Sequence, residues 1–402
     1  MKKSVTVIGL GYIGLPTASL LASSGYQVNG YDVNQEVVDT INKGKIHIIE
    51  PNLEIFVRRA IEDKTFKAFN EIQLADVYII CVPTPFYEDT IPPSPNIELV
   101  LSASQEISKL LKPGDIVILE STSPIGTTEK IADLFNSDGL KIDDISLAYC
   151  PERVLPGNIM KELVENDRIV GGFSKKASEV ISSFYKTFVA GNVYETDHKT
   201  AEMCKLTENS FRDVNIAFAN ELSILCDKNN IDVWDLISLA NKHPRVNILQ
   251  PGTGVGGHCI AVDPWFIVSS DQKNSQLIKC GREVNIKKTK WVIEKIKSSI
   301  DLFESENNKK AKIACLGLSF KPNIDDLRES PAVEVVEELM HHGLRPIIVE
   351  PNISHHSQFT LFDLETAIEE SDIIFILVKH DQFISIKRSD KKVIDFCGAL
   401  QS

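Results

Sequence analysis

The segment Pro251-Gly252-Thr253-Gly254-Val255-Gly256-Gly257-His258-Cys259-Ile260-Ala261-Val262-Asp263 holds four glycines in six positions, closely followed by a cysteine. A loop this rich in glycine lets backbone N–H groups converge on an anion or an oxyanion. A cysteine at its edge is placed to act as a nucleophile rather than to fill a core. Adjacent residues on an extended loop point opposite ways, so His258 is a weak partner for Cys259, whereas Asp263 supplies a nearby carboxylate. A second pattern stands at the other end of the chain. Gly9-Leu10-Gly11-Tyr12-Ile13-Gly14 follows an apolar run and opens a helix-like stretch, and Asp32 lies 18 residues after Gly14. Gly9 permits a tight turn, Gly11 lets a pyrophosphate approach the backbone, and Gly14 allows close helix–strand packing. An acid at Asp32 would accept hydrogen bonds from a ribose diol and repel a 2′-phosphate, which favours NAD over NADP.

These residues need strand ends and helix starts to hold them. Residues 5–9, 27–31, 77–82, 116–120 and 146–150 read as short apolar strands, and 13–24 and 34–43 as helices, a βαβ series. Such a series folds as a doubly wound sheet with ligands beyond the carboxyl ends of its strands. Thr84 and Thr122 follow two of those strands, where their hydroxyls would meet the cofactor. From 199 to 228 no glycine or proline intervenes, and Leu206, Phe211, Val214, Phe218, Leu222 and Leu225 recur every three to four residues. That predicts a helix of about 30 residues and about 45 Å. Helices are also predicted at 233–240 and 276–300, and 301–310 reads as a polar linker. Strands at 313–316, 346–349 and 373–378 with a helix at 332–341 predict a second, smaller α/β domain. The fold class is α/β, with two Rossmann-like doubly wound domains joined by a long central helix and a helical middle domain.

Composition narrows the function classes. Forty-three basic against 56 acidic residues give a net charge of −13, which opposes a nucleic-acid partner or a polybasic membrane anchor. No apolar run reaches the length of about 18 residues that would span a membrane. The eight cysteines lie at least 21 residues apart, with no CxxC pair for zinc and no disulfide framework, so no metal site is expected and a reducing cytoplasm is.

With Val82-Pro83-Thr84-Pro85, Ser121-Thr122, Pro151-Glu152-Arg153, Lys205-Leu206-Thr207-Glu208-Asn209 and Lys321-Pro322-Asn323-Ile324-Asp325-Asp326-Leu327-Arg328-Glu329-Ser330-Pro331, the two motifs above resemble the UDP-glucose/GDP-mannose dehydrogenase family along nearly the whole chain. Tyr149-Cys150-Pro151-Glu152-Arg153-Val154-Leu155-Pro156-Gly157, His243-Pro244-Arg245-Val246 and the run from His258 to Phe266 are similar to the branch acting on UDP-N-acetyl-D-mannosamine. UDP-glucose enzymes usually carry serine before the cysteine and lysine before the aspartate, where this chain has His258 and Val262.

The resemblance implies oxidation of a primary alcohol to a carboxylate in two NAD-dependent steps, serving surface polysaccharide synthesis. It divides the chain into an NAD-binding domain at 1–197, a dimerisation domain at 198–302 and a UDP-sugar-binding domain at 303–402. Cys259 is the implied nucleophile, Lys205 the proton donor or acceptor beside Asn209, and Asp263 and Glu152 the carboxylates for water activation. The cofactor falls to Gly9, Gly11, Tyr12, Ile13, Gly14, Asp32, Thr84, Thr122 and Arg328. Substrate contacts are implied for Arg153, Val154, Lys205, Asn209, Arg212, His243, Arg245, Gly256, Phe320 (against uracil) and Lys321. A homodimer paired through the central helices is implied, with Arg245 supplied by the partner. Family chains often end with a basic residue that touches substrate, and this tail, from Ile394 to Ser402, has none. UDP-N-acetylglucosamine or UDP-glucose remains open as the substrate. So does a non-catalytic NAD or nucleotide-sugar sensor, which would tolerate replacement of Cys259. A two-electron hydroxyacid dehydrogenase would need no nucleophile, and the cysteine loop argues against it.

Overall fold

The computed structural model describes residues 3–87, 89–155, 157–257, 259–386 and 391–400. It divides into two compact units, residues 1–207 with 265–270 and residues 208–264 with 271–402.

The first unit is built on β1 (Ser4–Ile8), β2 (Gln27–Tyr31), β3 (Phe66–Phe69), β4 (Val77–Ile80), β5 (Ile116–Leu119), β6 (Ser146–Tyr149), β7 (Arg168–Gly172) and β8 (Val193–Asp197). Between them run α1 (Gly14–Ser23), α2 (Gln35–Asn42), α3 (Leu53–Glu62), α4 (Glu98–Ser108), α5 (Thr127–Ser137), α6 (Ile159–Glu165) and α7 (Lys175–Tyr185). The strands are ordered β3-β2-β1-β4-β5-β6-β7-β8, all parallel except the β6–β7 pair. Alternate side chains of one strand serve opposite cores: Val5 and Val7 of β1 pack on one face with Leu15, and Ile8 on the other with Tyr78 and Val100. The order reverses between β1 and β4, so the crevice for a ligand opens above those two strand ends.

Next come α8 (His198–Asn229), α9 (Val233–Ala240), α10 (Asp263–Ser270) and α11 (Gln276–Asn307). The long helix thus begins one residue before the predicted start, and Asp232 caps α9 by accepting the Trp234 N–H at 2.8 Å. The periodicity of α8 conceals two faces. Leu206 is fully buried, but Phe211, Phe218 and Leu225 are 67%, 54% and 50% exposed. Of the predicted linker at 301–310, residues 301–307 are instead helical. Helix α11 continues to Asn307 and ends only where Asn308 turns left-handed at φ 48°. Phe303 packs on the second unit's core, and Glu304 accepts from Lys310 Nζ at 2.7 Å, so a charged surface hid an amphipathic last turn.

The second sheet holds β9 (Ile313–Leu316), β10 (Ile347–Val349), β11 (Ile373–Ile376) and β12 (Lys392–Asp395), with α12 (Pro331–His341) and α13 (Leu364–Glu370). Its order is β10-β9-β11-β12, all parallel, with the reversal beside β9. Both sheets are of the doubly wound type the alternation predicts. Among the described residues, no helix is long and apolar enough to cross a membrane.

Candidate active site

At the β1 crevice the three glycines have three different constraints. Gly9 has φ +88°, and a Cβ there would lie 2.7 Å from the Cys81 carbonyl oxygen. A Cβ on Gly14 would fall 1.8 Å from the Gly9 oxygen, so helix and strand touch. Around Gly11 nothing lies within 4 Å, which leaves its backbone open to a pyrophosphate. Asp32 is pinned at the end of β2, accepting the Leu10 N–H on Oδ2 at 3.0 Å and the Asn34 N–H on Oδ1 at 2.9 Å. Each oxygen keeps acceptor capacity for a ribose diol. Tyr12 is exposed and Ile13 half-buried at the mouth of the same turn. The cradle fits NAD. It should reject NADP, whose 2′-phosphate would meet the Asp32 carboxylate. The expected ratio of kcat/KM is about a hundredfold in favour of NAD, and equal efficiency with the two cofactors would refute the role of Asp32.

The loops after β4 and β5 come together there. The Thr84 hydroxyl donates to the Thr122 carbonyl at 2.6 Å, and Ser121 Oγ to the Val82 carbonyl at 2.7 Å. Glu202 of α8 accepts from the Gly126 and Thr128 N–H groups at 2.7 and 2.8 Å, capping α5. It therefore ties the β5–α5 loop to the helix turn that carries the buried Lys205.

Beneath these loops lies a polar cluster the motifs did not announce. Glu120, next after β5, accepts from the Tyr185 hydroxyl at 2.6 Å and lies 3.4 Å from both Thr17 Oγ1 and Cys81 Sγ. Glu152, in the loop that follows β6, is ion-paired with Arg168, and both side chains are 4% exposed. Its Oε1 accepts the Arg153 N–H at 2.7 Å. Burial raises the Glu120 and Cys81 groups; for Glu120, Arg168 opposes the rise and Glu152 adds to it. Two carboxylates thus share the field of one guanidinium. Arg153 reaches the Asp167 carbonyl, and Val154 packs on the sheet's core.

In the second unit the glycine–cysteine loop is clamped at both ends. Asn220 Oδ1 accepts the Gly252 N–H at 2.9 Å, Thr253 Oγ1 donates to the Leu377 carbonyl at 2.6 Å, and Gly257 N–H meets the Arg328 carbonyl at 3.3 Å. Asn220 is in turn held by Asn285 at 2.8 Å, and Asn285 by Asp213, which pairs with Arg282 at 2.6 Å. Cys259 is exposed. Its carbonyl accepts the Val262 and Asp263 N–H groups at 3.1 and 2.8 Å, forming a helical turn that leads into α10. Asp263, buried and four residues on, therefore shares the cysteine's side of that turn. Its Oδ2 accepts from Asn209 Nδ2 at 2.6 Å.

Phe320 is where the structure adds a contact. A Cβ on Gly257 would lie 2.8 Å from the Phe320 ring, and one on Gly256 3.0 Å from its Cβ, so the ring lies against the cysteine loop. Lys321 is exposed beside it, and the Arg328 guanidinium is forked on Asp326, Nη2 to Oδ2 at 2.6 Å. Arg212, His243 and Arg245 are exposed, and among the described residues none of their side chains hydrogen-bonds to that loop. His258, Gln401 and Ser402 lie outside the described residues.

Family models match in chain order: the NAD binding domain of the UDP-glucose/GDP-mannose dehydrogenase family at residues 3–189, its central domain at 199–287 and its UDP binding domain at 314–402. The chain belongs to this family. It is an NAD-dependent dehydrogenase of UDP-sugars. A UDP-N-acetyl-D-mannosamine dehydrogenase of Campylobacter jejuni is 53% identical, over 98% of both chains. An NDP-N-acetyl-D-galactosaminuronic acid dehydrogenase of Ralstonia nicotianae is 49% identical, over 98% of this chain and 96% of its own. Among solved structures, a UDP-D-ManNAc dehydrogenase from Pyrococcus horikoshii superposes with a TM-score of 0.88 at 38% identity, over 99% of this chain and 96% of the other.

Proposed function

We propose that this dehydrogenase oxidises the C6 alcohol of UDP-N-acetyl-D-mannosamine to the carboxylate, in two successive two-electron steps through a thioester on Cys259. The observation that carries the chemistry is the turn joining Cys259 to Asp263, with Asn209 on the carboxylate. NAD, when bound, supplies the oxidising power by accepting a hydride in each step. Lys205 manages the proton and the developing charge on the sugar oxygen. The first step leaves an aldehyde, which has no hydride to give until a nucleophile makes its carbon tetrahedral. Cys259, at the head of a helical turn whose dipole favours negative charge, adds as thiolate to give the thiohemiacetal. Its oxidation gives the thioester, and water releases the acid. Both Glu152 oxygens are engaged, by Arg168 and by the Arg153 N–H. Activation of water therefore falls to Asp263, aimed by Asn209, and Glu152 instead orders the Arg153–Val154 loop against the substrate.

Arg153, Arg212, His243, Arg245, Gly256, Phe320 and Lys321 are assigned to the nucleotide sugar, and Gly9 to Gly14, Asp32, Thr84, Thr122 and Arg328 to NAD. The functional division is 1–197 for NAD, 198–302 for dimerisation and 303–402 for the UDP-sugar. The exposed Phe211, Phe218 and Leu225 recur every seven residues along α8 and suit a homodimer seam. Sedimentation should return a dimer, and Phe218→Glu a monomer; an unchanged sedimentation coefficient in the variant would remove α8 from the interface. A thiolate nucleophile requires a reducing compartment, the cytoplasm.

Substrate choice rests on the 53% identity to the mannosamine enzyme. The 49% identical relative makes the galactosamine isomer the second reading. A panel of UDP-N-acetyl-D-mannosamine, its gluco and galacto isomers and UDP-glucose decides between them. The mannosamine sugar should lead in kcat/KM by about tenfold or more. A galacto or gluco isomer turned over equally well would overturn the assignment.

A further inference from the structure

At the reversal point of the second sheet, three strand ends converge on one fully buried histidine. His380 follows β11, Glu350 follows β10, and the 317–323 segment follows β9. The imidazole is fixed on both sides. Nδ1 is approached by two donors, the Asn323 N–H at 2.9 Å and Asn352 Nδ2 at 3.0 Å. Nε2 faces two acceptors, Glu350 Oε2 at 3.0 Å and Ser319 Oγ at 3.3 Å, and that hydroxyl spends its own proton on the Lys321 carbonyl at 2.7 Å. Only the neutral tautomer with its proton on Nε2 satisfies all of these.

What this histidine holds is the turn that carries Phe320 and Lys321. Asn323 sits left-handed at φ 60° and ties the turn twice to the β11 loop. Its N–H goes to His380, and its Oδ1 accepts the Asp381 N–H at 3.0 Å. Glu350 locks the start of the turn by accepting the Leu318 and Ser319 N–H groups at 2.7 and 3.0 Å. Burial pushes the Glu350 carboxyl up. The hydrogen bonds from His380, Leu318 and Asn352 oppose that rise and lower it, so the carboxylate accepts from the imidazole N–H. Ligands of open α/β sheets bind beyond the strand ends at such a reversal, and here Lys321 is the exposed cation of the turn.

We propose that His380 is a positioning residue for the nucleotide: as the Nε2-protonated tautomer it sets the 319–323 turn so that Lys321 and Phe320 meet the UDP moiety. This rests on the assignment of Phe320 and Lys321 to UDP binding. Asparagine carries an acceptor as far from the backbone as Nδ1, and glutamine carries a donor as far out as Nε2. The two variants therefore separate the two bonds. His380→Gln loses the acceptor for the Asn323 N–H, and should raise KM for the UDP-sugar at least tenfold, with kcat and the KM for NAD within threefold. His380→Asn keeps that acceptor and should stay within threefold on all three. Equal KM values in the two variants, or a loss confined to kcat, would overturn the proposal. Lys321→Ala is the control: if it leaves the UDP-sugar KM unchanged, the underlying assignment fails, whatever His380 does. Should His380→Gln not fold, ¹⁵N-histidine spectra of the unmodified protein decide. An unprotonated acceptor Nδ1 and a protonated Nε2, in the signal absent from His380→Asn, support the proposal, and the reverse pattern defeats it.

Discussion

Replacing Cys259 by serine should lower overall turnover by at least about a thousandfold, the scale on which loss of a nucleophile acts, while NAD affinity stays near that of the parent. The cause is chemical. A serine alkoxide is far harder to form than a thiolate, and an oxygen ester is hydrolysed less readily than a thioester. Gly9 to Gly14 and Asp32 are untouched by the change, which is why cofactor binding should persist. Cys259→Ala should still reduce supplied aldehyde to alcohol with NADH, since that direction needs no nucleophile. Rapid-mixing assays of NADH, run forward from the UDP-sugar and backward from the aldehyde, check both halves. Near-normal full oxidation by the alanine variant would replace the thioester with a hydrate route.

Arg168→Met should destabilise the protein by about 3–5 kcal/mol, the cost of stranding a buried charge, seen as a fall of roughly 10 °C in Tm. Arg168 is 3% exposed and is the counterion of Glu152, with Glu120 close enough to feel its charge. Pairing the change with Glu152→Met should recover most of the loss, because a buried ion pair exchanged for apolar groups is often neutral. The recovered double variant should still bind UDP-sugar poorly, as Arg153 loses the carboxylate that accepts its N–H. Differential scanning calorimetry of the three proteins measures the effect. A single variant within about 1 kcal/mol of the parent would mean that the cluster does not depend on the pair.

Much of this was legible in the residues. The turn at Gly9 to Gly14, the acid at Asp32 and the glycine–cysteine loop are local patterns whose physics works within one turn. Helix α9 lies at the predicted 233–240, and the structure adds the Asp232 cap at its start. What stayed hidden is long-range. Glu120, Tyr185, Arg168 and Glu152 are up to 65 residues apart, and only the sheet gathers them. The ion partner of Glu152, Arg168, stands in strand β7, so the motif around Glu152 does not reveal the pair. Phe211, Phe218 and Leu225 fit the same periodicity as Leu206, which predicts a helix but does not say which apolar face is covered within one chain. Residues 301–307 looked like a linker because charge dominated them, although Leu302 and Phe303 kept the helical spacing. His380 carried no sequence signal beyond its place after an apolar strand.

The proposed reaction is a four-electron oxidation run through Cys259. It is tested most directly by following NADH to completion with a limiting, weighed amount of UDP-N-acetyl-D-mannosamine and excess NAD. Two NADH per sugar are expected, with the uronate as the product and no aldehyde in solution. One NADH per sugar, with aldehyde accumulating, would contradict that reaction and leave a two-electron dehydrogenase in which Cys259 takes no covalent part.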